Sequence, residues 1–403
     1  MPVAEDLDWV GRRVSALRKL RGLSQERLAE AANVSVSLVR AVEQGRSPAS
    51  PAFIASVSRA LRTDTATLLS QPYLLNDQDG RRLHSVIPGL RREIASYRIP
   101  ADEGVRPRGY GELSKAVEVA SGKRHAAALD TLGAELPGLL SEIRAAIAEA
   151  GSSEQGSLYG LLAEAYAAAG QVAWKLGYPD LSSLTTERIV WAAEKSGDPL
   201  AAAAADFYVA GELIAAAEWS GALKYLDEAR RRIESETRSG NEAAISMHGV
   251  LHLKSGLAAA RAGDATGSDS HLDEARDAAR RVMPGSDHYR LAFDADSVAI
   301  WSVGLAVERL DGTEAVKRAD GLRFRPSTPR ERVGHHWIDL ARAHQLRGDR
   351  ERALSTLVEA RRTSPQQVRC SPQVRETLLT LAEHDRRKSE SLAGMARWVG
   401  VQL

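Results

Sequence analysis

Helix-start signals punctuate the first seventy residues at short intervals, and this constrains the chain more than any other feature. Ser24, Ser35, Ser50 and the dipeptide at Thr63 and Asp64 each stand before a run with apolar residues at helical spacing. The side-chain oxygen of such a residue can accept a free amide of the first turn. Gly22 and Gly45 provide stops, and Pro51 follows Ser50 at the position where a helix tolerates proline. Residues 7–70 are therefore expected to form five short helices. The first runs from about Asp8 to Arg21 and buries Val10, Val14 and Leu17. The second covers 25–32 and the third 36–44; the fourth starts at Pro51, and a short fifth follows Thr63 or Asp64.

The remainder reads as longer helices. Aromatic residues make up only 5% of the chain while alanine, leucine, glutamate and arginine abound, a balance that suits helices rather than sheets. The fold class expected is all-α, and 403 residues exceed what one small domain holds, at roughly 100–200 residues per domain. From about Glu112 onward, paired helices carry small residues seven apart: Ala222 and Ala229, Ser268 and Ala275, Ala353 and Ala360, each after a turn-like stretch (EWSG, AGDATG, RGDRE). The corresponding positions Ser182, Ala222, Ser268, Ala315 and Ala353 are spaced by 40, 46, 47 and 38 residues. That is longer and less regular than the tetratricopeptide period of roughly 34. Small residues let two helices approach closely, and each hairpin buries its open face only against the next, so an α-solenoid is expected over 112–403, curling into a right-handed superhelix with a concave face. Residues 76–111, with DQDG, IPG, RIPADEG and RPRGYG, read as a linker with one short helix near Leu90 to Tyr97.

Charge is unevenly placed. The whole chain is +1, but residues 1–75 hold ten Arg and Lys against seven Asp and Glu, residues 76–111 hold seven against five, and the rest is left at −4. The basic end suits a phosphate-rich partner. One cysteine, Cys370, excludes an internal disulfide framework and a cysteine-rich zinc site. No leader and no long uncharged apolar run is seen; the most apolar stretch, Leu200 to Trp219, is broken by Asp206 and Glu212. A soluble, cytoplasmic protein is expected.

The stretch SQERLAEAANVSVSLVRAVEQG, residues 24–45, joins several constraints. Gln25 opens the second helix, Ala29 is small where the third would cross it, and Asn33 stands at the turn, where a left-handed backbone is tolerated. Val34, Val39 and Val42 fall at core spacing, with Val39 and Val42 facing in and Val36, Ser37, Arg40 and Gln44 facing out, the polarity a helix needs to lie in a major groove. Over residues 10–70 the chain resembles the Cro/repressor, or xenobiotic-response-element, family of helix-turn-helix transcriptional regulators, whose DNA-binding unit is a five-helix, lambda-repressor-like domain. The resemblance implies double-stranded DNA as partner, with Gln25 and the amides beside it holding a phosphate and positions 36, 37 and 40 touching base edges. Arg40 is the first choice for direct readout, bidentate to guanine; Ser37 is the second. Val36 replaces the long polar residue common there and suits a thymine methyl. Arg46, after the Gly45 turn, should approach the DNA backbone. Arg13 and Glu43 match a structural ion pair of the family. One unit contacts few base pairs, so a homodimer on a two-fold operator is expected. The competing reading makes the repeat region a scaffold for a partner protein, with the helix-turn-helix used for docking.

Regulators of high-GC Gram-positive bacteria join such a unit to a tetratricopeptide-like C-terminal domain, which KLGYPDLS, AEKSGDP and SPQQVRCSPQVRETLLTL resemble. This implies a repressor or activator whose helical domain dimerises and binds a small-molecule or peptide effector. The asparagine clamp of peptide-sensing relatives is not expected, because only Asn241 of three asparagines lies in the repeat region. Trp174, Trp191, Trp219, Trp301, Trp337 and Trp398 either line an apolar pocket or pack between helices. Catalytic constellations are lacking, and neither enzyme activity nor a cofactor is expected. His248 and His252 have a metal-compatible i, i+4 spacing, but residue 249 is glycine and no third ligand is marked, so no metal is expected. His335 and His336 point to different sides of a helix. Cys370, between Arg369 and Ser371 in a proline-bounded loop, offers a thiol without a resolving partner.

Overall fold

A computed structural model of the chain describes residues 9–74, 77–99, 104, 106–384 and 390–403. The N-terminal unit consists of α1 (Val10–Leu20), α2 (Gln25–Ala32), α3 (Val36–Glu43), α4 (Pro51–Leu61) and α5 (Thr65–Leu69). The expected start of the first helix at Asp8 lies outside the described residues. Each expected cap is made: Ser24 accepts from the Arg27 amide, Ser35 from that of Leu38, Ser50 from that of Phe53, and Asp64, not Thr63, from that of Thr67. Val10, Val14, Leu28, Val39, Val42, Phe53, Val57 and Leu68 close one core, with Leu17 half-buried at its edge. Fully burying such a side chain contributes about 1.5–3 kcal/mol, which short helices need because they are marginal alone.

The next segment departs from the expected linker. It forms α6 (Gln78–His84) and α7 (Ile87–Ala95), whose Leu83, Val86, Ile87, Leu90 and Ile94 are buried with Leu129, Leu132 and Leu136 of the following helices. Asp77 caps α6 through the Gly80 amide, and Pro88 sits in the first turn of α7. Residues read as breakers are thus helix starters. Of the RIPADEG stretch, residues 100–103 lie outside the described part.

Helices then succeed one another: α8 (Tyr110–His125), α9 (Leu129–Glu149), α10 (Ser152–Lys175), α11 (Pro179–Ser196), α12 (Pro199–Ala215), α13 (Trp219–Arg232), the single turn α14 (Glu234–Arg238), α15 (Glu242–Arg261) and α16 (Ala265–Ala279). They continue with α17 (Ala295–Glu308), α18 (Gly312–Ala319), α19 (Arg330–Leu346), α20 (Arg350–Thr363), the short α21 (Pro365–Arg369), α22 (Pro372–His384) and α23 (Glu390–Val399). Among the described residues there is no strand. Hairpins form between α10 and α11, α12 and α13, α15 and α16, α17 and α18, and α19 and α20. The second helix of each carries the small residues read from sequence, and Ala222, Ala229, Ser268, Ala275, Ala315, Ala353 and Ala360 are fully buried. Buried apolar side chains form successive clusters along the chain, as a solenoid-like all-α body requires. Charged ties cross between hairpins: Glu308 of α17 accepts from Arg261 of α15 at 2.8 Å and from Arg342 of α19 at 3.0 Å.

The tryptophans are spread through this body. Trp191 meets Tyr97 and Tyr159 edge-on, Trp398 lies under the Arg361 guanidinium, and Trp301 packs into the second cluster. Trp191 also borders an open cavity with Tyr97 and Tyr159, and Trp174, 51% exposed, reaches a second one. That cavity, of about 200 Å³, lies between the N-terminal unit and the body and is lined by Ile54 and Leu69 on one side and by Trp174, Lys175, His335 and Gln367 on the other. Cys370 also faces it, but burial pushes its thiol up to about 12, so it is not the reactive thiolate the loop reading allowed.

Candidate nucleic-acid interface

The turn between α2 and α3 is built as its residues dictate. Asn33 adopts φ 52° and ψ 48°, the left-handed conformation, and the Val34 amide closes onto the Ala29 carbonyl at 2.9 Å. Ala29 is buried at the crossing. Where α1 meets the end of α3, a Cβ on Gly11 would lie 2.0 Å from the Val42 carbonyl oxygen, so glycine is required by contact alone.

Val39 and Val42 close the core, while Ser37, Arg40 and Gln44 are exposed along the outer face of α3. Val36, expected to face out, is half-buried and packs against the core. A side chain in the first turn of a helix leans back toward the N-terminus, and here that direction carries the valine over the turn. Ser37 Oγ lies 3.0 Å from the Ser35 cap hydroxyl. Arg46, beyond Gly45, is exposed and donates to the Gln44 side-chain oxygen.

A chain of polar contacts ties three helices behind this face. Arg18 of α1 grips Glu43 of α3 in a two-point pair, Nε to Oε1 at 2.6 Å and Nη2 to Oε2 at 2.9 Å. Gln25 of α2 donates Nε2 to the same Glu43 oxygen at 2.7 Å. Its carbonyl oxygen accepts from Arg40 Nε at 3.2 Å, and Arg40 Nη2 reaches Glu26 at 2.6 Å. Gln25 thus stands between a buried carboxylate and the exposed arginine, with one amide N–H still directed elsewhere. Although burial opposes it, the bonds from Arg18 and Gln25 hold the Glu43 carboxyl below the usual range, and the Glu43 bond raises Arg18.

The partner of Glu43 is Arg18 and not the expected Arg13. Both arginines flank the Val10, Val14 and Leu17 stripe, on opposite edges, 100° per residue placing Arg18 beside Val14 and Arg13 beside Leu17. Arg18 faces α3; Arg13 faces α5, where its Nε donates to the Leu68 carbonyl at 2.6 Å. The signal that would have separated them is which edge of α1 faces the third helix, a tertiary fact. Arg18 is the structural residue of this interface that sequence reading missed.

The two halves of the molecule touch near α1. The Val10 N–H, at the first turn, donates to the Glu376 carboxyl of α22, with Arg13 close by. Arg59 of α4 reaches the Ala217 carbonyl at 3.4 Å, and Arg375 lies over the Tyr73 ring.

Residues 9–70 match the family model of a helix-turn-helix domain. No curated protein matches the chain. Among solved structures, BtubC (BKLC) from P. vanneervenii is similar over 68% of this chain and 91% of its own length, at 13% identity and a TM-score of 0.36, too low to support an argument about the body. No helix among the described residues is long and apolar enough to cross a membrane.

Proposed function

We propose that this chain is a sequence-specific DNA-binding regulator of transcription, working in the cytoplasm as a homodimer on a two-fold operator. The observation that carries the reading is the divided surface of α3: Val39 and Val42 seal the core while Ser37, Arg40 and Gln44 are exposed on the opposite side, within a unit that matches a helix-turn-helix domain. On this reading α3 enters the major groove. Arg40 leaves Glu26 to bond a guanine, Ser37 reads beside it, and Gln25, already oriented by Glu43, gives its remaining N–H to a phosphate. Arg46 supplies charge to the backbone. Val36, half-buried, offers only a methyl edge.

The body, a tetratricopeptide-like repeat array on this reading, binds an effector in the cavity it shares with α4 and α5. Support comes from Gln367, whose buried Oε1 accepts no hydrogen bond. A ligand seated there touches the DNA-binding unit and the body together.

The test is binding of the full chain to its own upstream region and to random duplex across a salt series. Specific binding that weakens steeply with salt, and that Arg40→Ala lowers about tenfold to a hundredfold, is expected. Equal affinity for both duplexes, with Arg40→Ala indistinguishable from the parent, would overturn the reading. Light scattering on the full chain reads the dimer directly, and a monomer at working concentration would remove the two-fold operator.

A further inference from the structure

Two helical spacings meet on one hairpin of the body. α15 carries His248 and His252 four residues apart, and α16 beside it carries His271 and Glu274 three apart, so each pair lies on one face of its helix. One ligand atom from each of His248, His252 and Glu274 lies within 4.8 Å of the others. The sequence marked the first two residues and left the third ligand unassigned; the packing of α16 supplies it.

We propose that His248, His252 and Glu274 form a binding site for one divalent transition-metal ion of the zinc class, with His271 as the positioning residue of His252.

The separation of the nitrogens supports this. His248 Nε2 and His252 Nε2 are 3.1 Å apart, and two nitrogens bound to a tetrahedral zinc at about 2.0–2.1 Å stand about 3.3 Å from each other. The two nitrogens thus stand about as far apart as two zinc-bound nitrogens do. His252 Nδ1 meets His271 Nδ1 at 2.9 Å. When His252 carries its proton on Nδ1 and donates it to His271, its Nε2 lone pair is directed at the site. This is the outer contact that orients metal-bound histidines elsewhere.

The metal-free and metal-bound states differ by one tautomer. Without the ion, in the tautomer in which His252 gives Nδ1–H to His271, His248 Nε2–H donates to His252 Nε2. With it, the His248 proton resides on Nδ1, an atom that is buried and has no partner, and both Nε2 lone pairs bond the ion. The exchange replaces one neutral hydrogen bond by two histidine bonds to the ion beside that of Glu274, leaves the His248 Nδ1–H without an acceptor, and releases no proton.

Charge and packing agree. Arg230 and Arg281 repel a cation as they repel a proton, but Arg230 is turned toward Ser255 at 2.7 Å and Asp227 at 3.4 Å, and Glu274 brings a full negative charge. Glu274 is exposed, which leaves a fourth position open to water. Gly249 between the two histidines is a packing residue: the Phe293 ring fills the space its Cβ would need, 2.1 Å away. The proposed site joins two helices, and it is independent of the DNA-binding reading.

The test uses the full chain with any affinity tag removed. Cobalt(II), added as a spectroscopic probe, is expected to give the intense visible absorption of a tetrahedral site at one equivalent per chain, and zinc to displace it. His248→Gln and Glu274→Gln, both at incompletely buried positions and so expected to fold, lower cobalt affinity at least tenfold. His271→Ala lowers it about tenfold to a hundredfold, with the same absorption shape, while His344→Ala, a buried histidine elsewhere, changes nothing. Circular dichroism confirms that each variant is folded. Affinity of the parent equal to that of a folded His248→Gln/Glu274→Gln double variant, or a stoichiometry well below one, would overturn the proposal.

Discussion

Replacing Arg18 by alanine should unlock α3. The Arg18–Glu43 pair is bonded at two points, and its side chains are 10% and 5% exposed. Removing the arginine leaves the Glu43 carboxylate buried with only the neutral donors Gln25 and Ser15, and strips the Leu23 carbonyl of its bond from Arg18 at 2.8 Å. Breaking a buried pair from one side costs about 3–5 kcal/mol. A unit spanning residues 9–70 has about 3–9 kcal/mol in hand, at roughly 0.05–0.15 kcal/mol per residue, so the loss consumes about a third of it or more. Amide hydrogen exchange on the full chain separates this unit from the body. Peptides from residues 24–45 should lose protection by about a hundredfold or more, since each 1.4 kcal/mol is about tenfold, while those from α15 to α20 stay unchanged. Arg13→Ala should spare α3, because that arginine holds α5. Arg18→Met with Glu43→Leu should recover most of the protection, since both charges are then gone. The folded Glu43 pKa lies below its ordinary 4.5, so its contribution is complete above pH 4.5 and fades as pH falls through the folded value; α3 should loosen in acid before the body does. Unchanged exchange in α3 of the Arg18→Ala chain, or a double variant no better than the single, would refute the reasoning.

Three further outcomes are expected. Gly11→Ala places a methyl 2.0 Å from the Val42 carbonyl and should cost about 1–3 kcal/mol, read as lost protection in α1 and α3. Arg46→Ala should weaken specific and random duplex alike and reduce the salt slope by about one, with no change in preferred sequence. Burial pushes the Glu376 carboxyl up to about 7 from an ordinary 4.5, against the pull of Arg13 and the Val10 N–H; its contribution is therefore complete below pH 4.5 and lost as pH rises through about 7. Protection of α1 should accordingly fall between pH 6 and 8, and Glu376→Gln should flatten that dependence.

Local chemistry was legible wherever one residue type has few alternatives. Ser24, Ser35 and Ser50 each precede a run that needs a first-turn acceptor, and Asn33 supplies the left-handed turn. The small residues of the hairpins were legible for a similar reason: Ala222 and Ala229, or Ala353 and Ala360, sit where nothing larger lets two helices close. Gly and Pro between residues 76 and 99 misled because such residues mark helix starts as well as loops. What decided between the two was a buried stripe, Leu83, Val86, Ile87, Leu90 and Ile94, split across two helices too short to show a periodicity of their own.

The candidate site shows where sequence reading stops. Val39 and Val42 against Ser37 and Arg40 are separated by helical period alone, and their exposure follows from it. Arg13 and Arg18 are not: both border the same apolar stripe, and only the crossing of α1 with α3 chooses Arg18 for Glu43. The same holds for the histidines of α15. The i, i+4 spacing of His248 and His252 is visible along the chain, but a third ligand on another helix is not, because its register depends on how α16 slides against α15. A shift of one residue on α16 would rotate Glu274 away by about 100° and would separate His271 from His252 as well. Since both lie within reach, the register of this hairpin brings four polar residues together at once, whereas burying apolar surface asks only for Leu272, Ala275 and Ala279 on the inner face.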